Sequence, residues 1–152
     1  MDTQADLAAR LALVEDRTAV ADVIHRYAAG VRHGELTDAA GLFAEDGVFE
    51  IRAGSPRTGV ETKLVARLEG REQILGYLNR SASSNIVCPA IHNLRIEIDG
   101  ERAKSNCIMT ATVLGGGPTL MGEYDDSFVR IDGAWRFAQR RYLMFRDFAQ
   151  ED

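Results

Sequence analysis

The residue with the clearest chemical potential in this sequence is Tyr27, a phenol set in an otherwise aliphatic helical pattern. Val20, Ile24 and Val31 recur with it at the spacing of one helix face, which predicts that the tyrosine ring points into the interior. A buried phenol needs a hydrogen-bonding partner. That partner is either a structural group of the protein or a bound ligand, and the pattern leaves both open.

The residues after Tyr27 predict a second helix and a first strand beside it. Gly34 is expected to end the tyrosine helix, and residues 36–43 restart a helical pattern. Residues 45–47 predict a turn that leads into an apolar strand at residues 48–51. This order brings a helix, a strand and the tyrosine together around one pocket.

The rest of the chain divides into helical segments followed by strands. Leu7, Leu11 and Val14 form a short apolar stripe, and Asp16 can cap a helix that continues to about Arg32. The later predicted segments are a loop at 55–61, a short strand or ordered connection at 64–68, a helix at 71–80, and strands at 86–98, 103–114, 120–131 and 134–145.

Turn residues between these strands predict hairpins. Asp-Gly pairs at residues 99–100 and 132–133 are strong hairpin signals, and residues 115–118 form a looser turn. Helices followed by an antiparallel meander describe an α+β fold in which the helices pack on a strongly curved, mainly antiparallel sheet. With 152 residues, the chain predicts one domain over residues 1–152.

Composition narrows the classes of partner. Eighteen basic and 23 acidic residues give a net charge of −5, which argues against nucleic acid or an acidic membrane as the main partner. Cys88 and Cys107 lack metal-site spacing and no histidine cluster accompanies them, so we expect no metal. Without a leader or a membrane-length apolar segment, the expectation is a soluble cytoplasmic protein.

Three stretches of sequence resemble the SnoaL-like branch of the nuclear transport factor 2-like superfamily. They are RYAAGVRHGELTDAAGLFAEDGVFE at residues 26–50, GREQIL at residues 70–75 and DGAWRFAQRRY at residues 132–142. The resemblance implies a cone-shaped α+β barrel that receives a hydrophobic small molecule without a cofactor. Members of the superfamily include ketosteroid isomerase, polyketide cyclases, scytalone and bile-acid dehydratases, dehydrochlorinases and proteins with no catalysis, so the fold alone does not settle an activity.

The dehydratase pattern of the superfamily is broken in this sequence. Where the resemblance implies an aspartate and a histidine that work as a pair, the chain has Arg32 and Pro89. Neither side chain can act as the acid/base pair. A bulge in the strand could instead bring His92 to the pocket, where Arg32 would bind an enolate or carboxylate.

The isomerase pattern is better preserved. The resemblance implies that Tyr27 and a protonated Asp126 donate hydrogen bonds to a developing enolate. The general base of that pattern falls on Ile51, which cannot take a proton, whereas the adjacent carboxylate is Glu50. Because neighbouring residues on a strand point to opposite faces, Glu50 serves as the base only if a bulge turns it inward.

The cyclase pattern places an acid on the last strand, where this chain has none between Trp135 and Arg146. Arg140, Tyr142 and Met144 share one face of that strand and could line a cavity together with Tyr124. The alternative is that the arginines at positions 136, 140 and 141 extend to solvent along their stems.

Two functional hypotheses follow from these residues. The first is a cofactor-independent isomerase, dehydratase or cyclase acting on a hydrophobic cyclic carbonyl compound, with Tyr27, Asp126, Glu50 and His92 as catalytic residues. The second is a non-catalytic small-molecule-binding or accessory domain that has lost the acid/base pair. In either case we expect a homodimer or higher homo-oligomer, with Phe128 and Trp135 in its core.

Overall fold

The computed structural model describes residues 3–146. Within this range the elements are α1 Gln4–His33, α2 Leu36–Gly41, β1 Phe43–Gly54, β2 Lys63–Glu69, α3 Arg71–Ala82, β3 Ile86–Asp99, β4 Arg102–Leu114, β5 Thr119–Ile131 and β6 Ala134–Phe145.

Helix α1 is one continuous helix of 30 residues, where the sequence predicted a new helix beginning near Asp16. Thr3 caps its start in a capping box with Asp6, and Gly34 ends it at a positive φ of 71°. Asp16 instead accepts hydrogen bonds from Arg130 at 2.6 Å and Trp135 at 3.3 Å. These bonds fasten the middle of α1 to the far end of the sheet.

The six strands form one sheet in the order β2-β1-β6-β5-β4-β3. All neighbours pair antiparallel except β1 and β6, which run parallel. The second half of α1, α2 and α3 cover one face of this sheet, called here the inner face, and the other face is called the outer face. The arrangement confirms the predicted α+β fold with N-terminal helices packed on a mostly antiparallel sheet.

Strand β1 begins earlier than predicted. The expected turn at residues 45–47 lies inside β1, where the pairing with β6 shifts its register between Phe43 and Val48. The backbone N–H of Gly70 donates to the Gly47 carbonyl at 2.8 Å, so the entry to α3 is held against this irregular segment. A local break in one ladder therefore replaces the predicted turn.

A β-bulge in β6 decides which residues of the last hairpin face inward. Phe137 pairs with Phe128, but Gln139 pairs with Ser127, so Ala138 is an extra residue on its strand. Through this bulge Phe137 and Arg140, three residues apart, both reach the inner face and are fully buried. Without it, strand alternation would place only one of them there.

The large aromatic residues predicted for a dimer core are used inside the monomer. Phe128 is 1% exposed and Trp135 is 6% exposed. The two side chains belong to the core cluster beneath α1, and Phe128 stacks on Phe137 at 5.0 Å between ring centroids. The prediction that they form a dimer core is therefore wrong, because neither is available to a second copy. Within the described residues, no helix has the length and hydropathy needed to span a membrane.

Gly122 of β5 provides a test of packing on the inner face. A Cβ atom at this position would lie 2.4 Å from the Leu143 carbonyl oxygen and 2.4 Å from Cε2 of Tyr142. We expect Gly122→Ala to lower the free energy of unfolding by about 1–3 kcal/mol through overpacking. Gly41→Ala is the control, because a Cβ there meets nothing within 4 Å. Urea denaturation of both variants measures the difference, and equal stabilities would contradict the crowded geometry.

Candidate functional site

Tyr27 lies between the helices and the inner face of the sheet, a region called here the cone, as its helical spacing predicted. Its side chain is 3% exposed and makes edge-on contacts with Phe43, Tyr124 and Phe137, at centroid distances of 6.1, 6.4 and 5.9 Å. Phe43 lies on β1, whereas Tyr124 and Phe137 lie on the last hairpin, formed by β5 and β6. The tyrosine helix is thus joined to the sheet through an aromatic cluster.

A buried ion pair lies directly against this cluster. Nε and Nη2 of Arg140 donate to Oδ1 and Oδ2 of Asp126, each at 2.9 Å, and both side chains are completely shielded from solvent. Ser105 donates to the same carboxylate at 3.5 Å. The two acidic oxygens therefore accept from a permanently charged guanidinium in a bidentate arrangement.

Aromatic rings enclose the guanidinium of this pair. Its central carbon lies 3.6 Å from the ring centroid of Tyr124, 4.4 Å from that of Phe137 and 4.5 Å from that of Tyr27. The faces of these rings are attractive to a cation, and the attraction is strongest where water is excluded. The aromatic enclosure offsets part of the cost of burying Arg140.

The protonation states follow from burial and from this pair. Burial raises the pKa of Tyr27 to about 12, although the nearby Arg140 charge acts against the shift, so the phenol is neutral near pH 7. Burial also raises the pKa of Asp126 above its ordinary value, against the opposing effect of Arg140. Because arginine keeps its proton and both carboxylate oxygens accept, we assign an ionised pair. The neutral, hydrogen-bond-donating Asp126 expected from the resemblance is therefore not what the geometry supports.

Two hydrogen-bond donors on the inner face have no partner. Among residues 3–146, three buried side-chain polar atoms lack a hydrogen bond, namely Nη1 of Arg140, the hydroxyl of Tyr142 and Nε of Arg71, whose Nη2 already donates to the Phe43 carbonyl. Arg140 and Tyr142 are two positions apart on β6, and both lie against Tyr124, whose ring centroid is 5.4 Å from that of Tyr142. A buried donor left unpaired costs about 1–3 kcal/mol, and an external acceptor that reached either group would remove that cost.

Half-buried apolar side chains surround Tyr142 on the inner face. Tyr77 of α3 stacks edge-on with Phe49 at 6.0 Å, and Tyr77 raises the pKa of Tyr142 after the larger effect of burial. The partly buried side chains packed against the same core cluster as Tyr142 include Val87, Ile91, Leu94 and Met144. An aromatic and aliphatic lining with a few polar groups is typical of sites that bind small apolar molecules.

Glu50, predicted as a general base, lies on the outer face. Its carboxylate is bound by Arg52 at 2.7 Å, Arg67 at 3.2 Å and Arg141 at 3.7 Å. The next residue, Ile51, takes the inward position and is 1% exposed. The register of β1 shifts against β6 before Val48 and against β2 after Ile51, so Glu50 lies in a regular stretch and no bulge turns it toward Tyr27. The structure therefore gives no support to its assignment as a base in the pocket.

His92 and Arg32 also lie away from the cluster around Tyr27 and Arg140. His92 is exposed on the outer face, where its Nε2 lies 2.9 Å from the Thr110 hydroxyl. A bulge does follow it, with Asn93 at a positive φ of 53°, but the irregularity leaves His92 outside. Arg32 is exposed in the last turn of α1 and hydrogen-bonds His33 at 3.4 Å. The predicted roles of His92 as base and Arg32 as anion clamp are therefore not supported.

Of the predicted site residues, the structure brings together Tyr27, Asp126, Tyr124, Tyr142 and Met144. For Arg140 the sequence left two alternatives open, a place on the inward strand face or exposure to solvent, and the structure selects the first because the residue is 0% exposed. Its shared strand face with Tyr142 and Met144 was the available signal. Within residues 3–146, no three histidine, cysteine, aspartate or glutamate side chains are grouped to hold a metal ion.

A separate polar cleft of about 550 Å³ lies outside the cone, between α1, α2 and the start of β6. Its arginines already have protein partners. Arg26 lies 3.8 Å from Asp22, and Arg136 donates to the Gly41 carbonyl at 2.6 Å. The cleft contains none of the predicted site residues, so the cluster around Arg140 and Tyr142 on the inner face is the stronger candidate site.

The sequence matches the family of the SnoaL-like domain over residues 12–141. The match covers most of the chain, and the protein therefore belongs to this family. No curated protein matches it.

Solved structures of proteins with different descriptions share this fold. An NTF2-like protein with a cystatin-like fold from Novosphingobium aromaticivorans has 23% identity and a TM-score of 0.75, covering 98% of this chain and 94% of that one. A candidate scytalone dehydratase from the same organism has 22% identity and a TM-score of 0.70, covering 90% and 87%. A hexachlorocyclohexane dehydrochlorinase has 19% identity and a TM-score of 0.68, covering 89% and 88%. At these identities the likeness establishes the fold alone.

Two adjacent arginines on opposite faces test the buried pair. We expect Arg140→Met to lower the free energy of unfolding by about 3–5 kcal/mol, because it leaves the Asp126 carboxylate buried without its partner. Arg141→Met, the matched control on the outer face, is expected to cost less than about 1 kcal/mol, since its side chain is 48% exposed. Chemical denaturation separates the two cases, and a similar loss for both variants would contradict the assigned geometry.

The charge network around Glu50 predicts a pH-dependent stability. Burial alone raises the pKa of the Glu50 carboxyl, but the hydrogen bond from Arg52 and the charges of the three arginines outweigh it, and the pKa lies below its ordinary value. The stabilisation is therefore complete above the unfolded-state pKa of about 4.3, and it disappears as pH falls through the lower folded-state value.

We expect Glu50→Gln to be less stable than the native protein by at least about 1 kcal/mol at pH 7, with a gap that narrows below about pH 4. Glu69→Gln is the control, because that carboxylate is 66% exposed and pairs only with Arg67. Urea denaturation across this pH range measures the gap. A difference that stayed constant with pH would show that the Glu50 charge is not responsible.

Proposed function

We propose that this SnoaL-like domain binds a hydrophobic small molecule inside the cone, through a carbonyl or carboxylate oxygen of the ligand. The observation that carries the proposal is the pair of unpartnered donors on β6, Nη1 of Arg140 and the hydroxyl of Tyr142. An oxygen acceptor that reaches either donor removes the cost of leaving it unpaired. The aromatic and aliphatic side chains around Tyr142 supply apolar contact for the rest of the ligand.

The inner face favours an oxygen with partial or full negative charge. Arg140 is charged, and its pairing with Asp126 uses Nε and Nη2 while Nη1 is left over. Burial raises the pKa of both Tyr27 and Tyr142, so these phenols remain neutral donors at physiological pH. A cyclic ketone, an enone or an aromatic carboxylate has the combination of apolar body and acceptor oxygen that fits.

Binding without chemistry is the reading that the geometry favours. The two candidate bases, Glu50 and His92, are on the outer face, bound to arginines and to Thr110 respectively. Arg32 and Pro89 stand where the resemblance implies an acid/base pair. Among residues 3–146, the carboxylate on the inner face is that of Asp126, and it is committed to Arg140. Proton abstraction therefore has no assigned base within this range.

The second candidate is an isomerase- or dehydratase-type enzyme. The specific observation in its favour is that the unpaired donors and the neutral Tyr27 phenol lie around one aromatic cluster, which is the arrangement that stabilises an enolate oxygen. Fold likeness to a candidate scytalone dehydratase and to a dehydrochlorinase is compatible with such a reaction but does not assign it.

Ligand binding by matched hydroxyl deletions tests the proposal. We expect cyclic enones, β-hydroxy ketones or aromatic carboxylates to bind saturably by calorimetry, and Tyr142→Phe to weaken the bound compound about tenfold through loss of one hydrogen bond. Thr110→Val removes a hydroxyl from the outer face and is expected to leave the affinity unchanged. If no compound of the panel binds, or if Tyr142→Phe binds as the native protein does, the proposed site is wrong.

The same incubations distinguish the two candidates. Mass spectrometry and proton NMR of a saturating ligand detect any isomerised or dehydrated product. Recovery of unchanged ligand supports the binding domain. Turnover that Tyr27→Phe abolishes supports the enzyme and contradicts the non-catalytic proposal.

A further inference from the structure

The first half of α1 extends beyond the core with an apolar stripe exposed. Leu7, Leu11 and Val14 are 53%, 58% and 57% exposed, although each is large and aliphatic. The same helix becomes buried only from Val20 onward. Contiguous exposed apolar side chains on one helix face indicate a contact surface, whereas single exposed residues do not.

The stripe has the spacing of a coiled-coil seam. Steps of four and three residues alternate along the stripe, which is the a/d pattern of two packed helices. The a positions are Leu11 and Thr18, and the d positions are Leu7, Val14 and Ala21. Thr18 adds a methyl group to this seam, because its hydroxyl donates to the Val14 carbonyl at 2.9 Å. Within α1 the seam therefore continues for about four turns.

The seam points away from the body of the protein. At about 100° per residue, Leu11 lies about 160° around the helix from Tyr27, which faces the core. A second helix can therefore approach the seam without meeting the helices and sheet of its own chain. The face of α1 that packs on the core of the monomer and the face that carries the seam are therefore different, and both can be covered at once.

Charges beside the seam select the orientation of the partner. The g positions, each just before an a position, are occupied by the basic residues Arg10 and Arg17. The e positions that follow them, each just after a d position, are occupied by the acidic residues Glu15 and Asp22. In a parallel pair of identical helices, each g residue meets the e residue five positions later in the other copy. That register places Arg17 beside Asp22 of the second copy, whereas an antiparallel pair would set like charges together.

We propose that the first half of α1 joins two copies of this chain through a parallel helix pair, with the seam from Leu7 to Ala21 at the centre. Asp22 lies 3.8 Å from Arg26 of its own helix in an exposed pair. Such a pair is worth little and can rearrange.

A lipid surface fits the same stripe less well. Residues 3–19 carry three acidic side chains and two basic ones, and amphipathic helices that bind anionic membranes have a basic polar face. The e/g charge pattern is complementary to itself and needs no other macromolecule. A second copy of the chain is therefore the occupant that the sequence and the exposed face favour.

The test is the mass of the full chain in solution. We expect analytical ultracentrifugation to show a reversible dimer of the 16.7 kDa chain, and Leu11→Glu to raise the dissociation constant at least about tenfold. Leu64→Glu is the matched control, because that leucine is also exposed, at 48%, but lies on edge strand β2. It is expected to leave the dimer intact.

Orientation is tested by charge exchange and cross-linking. Arg17→Glu is expected to weaken the dimer, and the double variant Arg17→Glu with Asp22→Arg to restore it, because the pair forms between copies. Thr18→Cys should give an oxidised dimer, since equivalent a positions face each other in a parallel pair. The unmodified protein controls for Cys88 and for the buried Cys107.

Three results would overturn the proposal. They are a monomer at every concentration up to the solubility limit, a dimer that Leu64→Glu dissociates while Leu11→Glu does not, and a Thr18→Cys protein that forms no more cross-linked dimer than the unmodified chain. A monomer that binds lipid vesicles through Leu11 would assign the stripe to a membrane instead. None of these results bears on ligand binding inside the cone.

Discussion

The contact between Arg140 and Asp126 is the constraint around which the interior is organised. Two opposite charges removed from water are tolerated only when geometry and hydrogen bonds are nearly complete. Here the carboxylate accepts two bonds of 2.9 Å, and three aromatic rings enclose the guanidinium. The bulge at Ala138 is what brings Arg140 opposite Asp126, so the register of the last hairpin and the placement of Tyr124 are tied to one electrostatic requirement. Tyr27 packs against the guanidinium of this ion pair.

Charge is divided between the two faces of the sheet. The outer face holds Glu50 among three arginines and leaves His92 in solvent, whereas the inner face holds a neutralised pair within phenols and aliphatic groups. Groups that could exchange protons with a ligand are therefore outside, and groups that could hold an oxygen are inside. This division leaves polar groups on the inner face without an assigned base beside them.

The sequence was sufficient for the architecture because its signals are local. Helical spacing placed Tyr27 inside, and Asp-Gly pairs located two hairpins, where Gly100 and Gly133 adopt positive φ values of 61° and 79°. The site depended on longer-range facts. Strand alternation predicted that Glu50 and Ile51 face opposite sides of the sheet, but only the observed register shows that Ile51 is the one that faces inward. Arg140 could not be assigned from its own strand, since an arginine there reaches solvent unless an acid on the neighbouring strand lies opposite. Asp16 looked like a helix start, yet its partners Arg130 and Trp135 are more than 100 residues away.

The position of β6 has a consequence for how the molecule assembles. This strand is the last of the six in the sequence but lies between β1 and β5, and it is the parallel partner of β1. During synthesis on the ribosome, the β1-β2 unit and the β3-β4-β5 unit can form early as separate hairpins and meanders. They have no common ladder until the final strand emerges and inserts between them. Closure of the sheet thus waits on contacts of large sequence separation, which are intrinsically slow to form. Arg140 is carried by that last strand, so the same insertion that completes the sheet also brings the charge that pairs with Asp126.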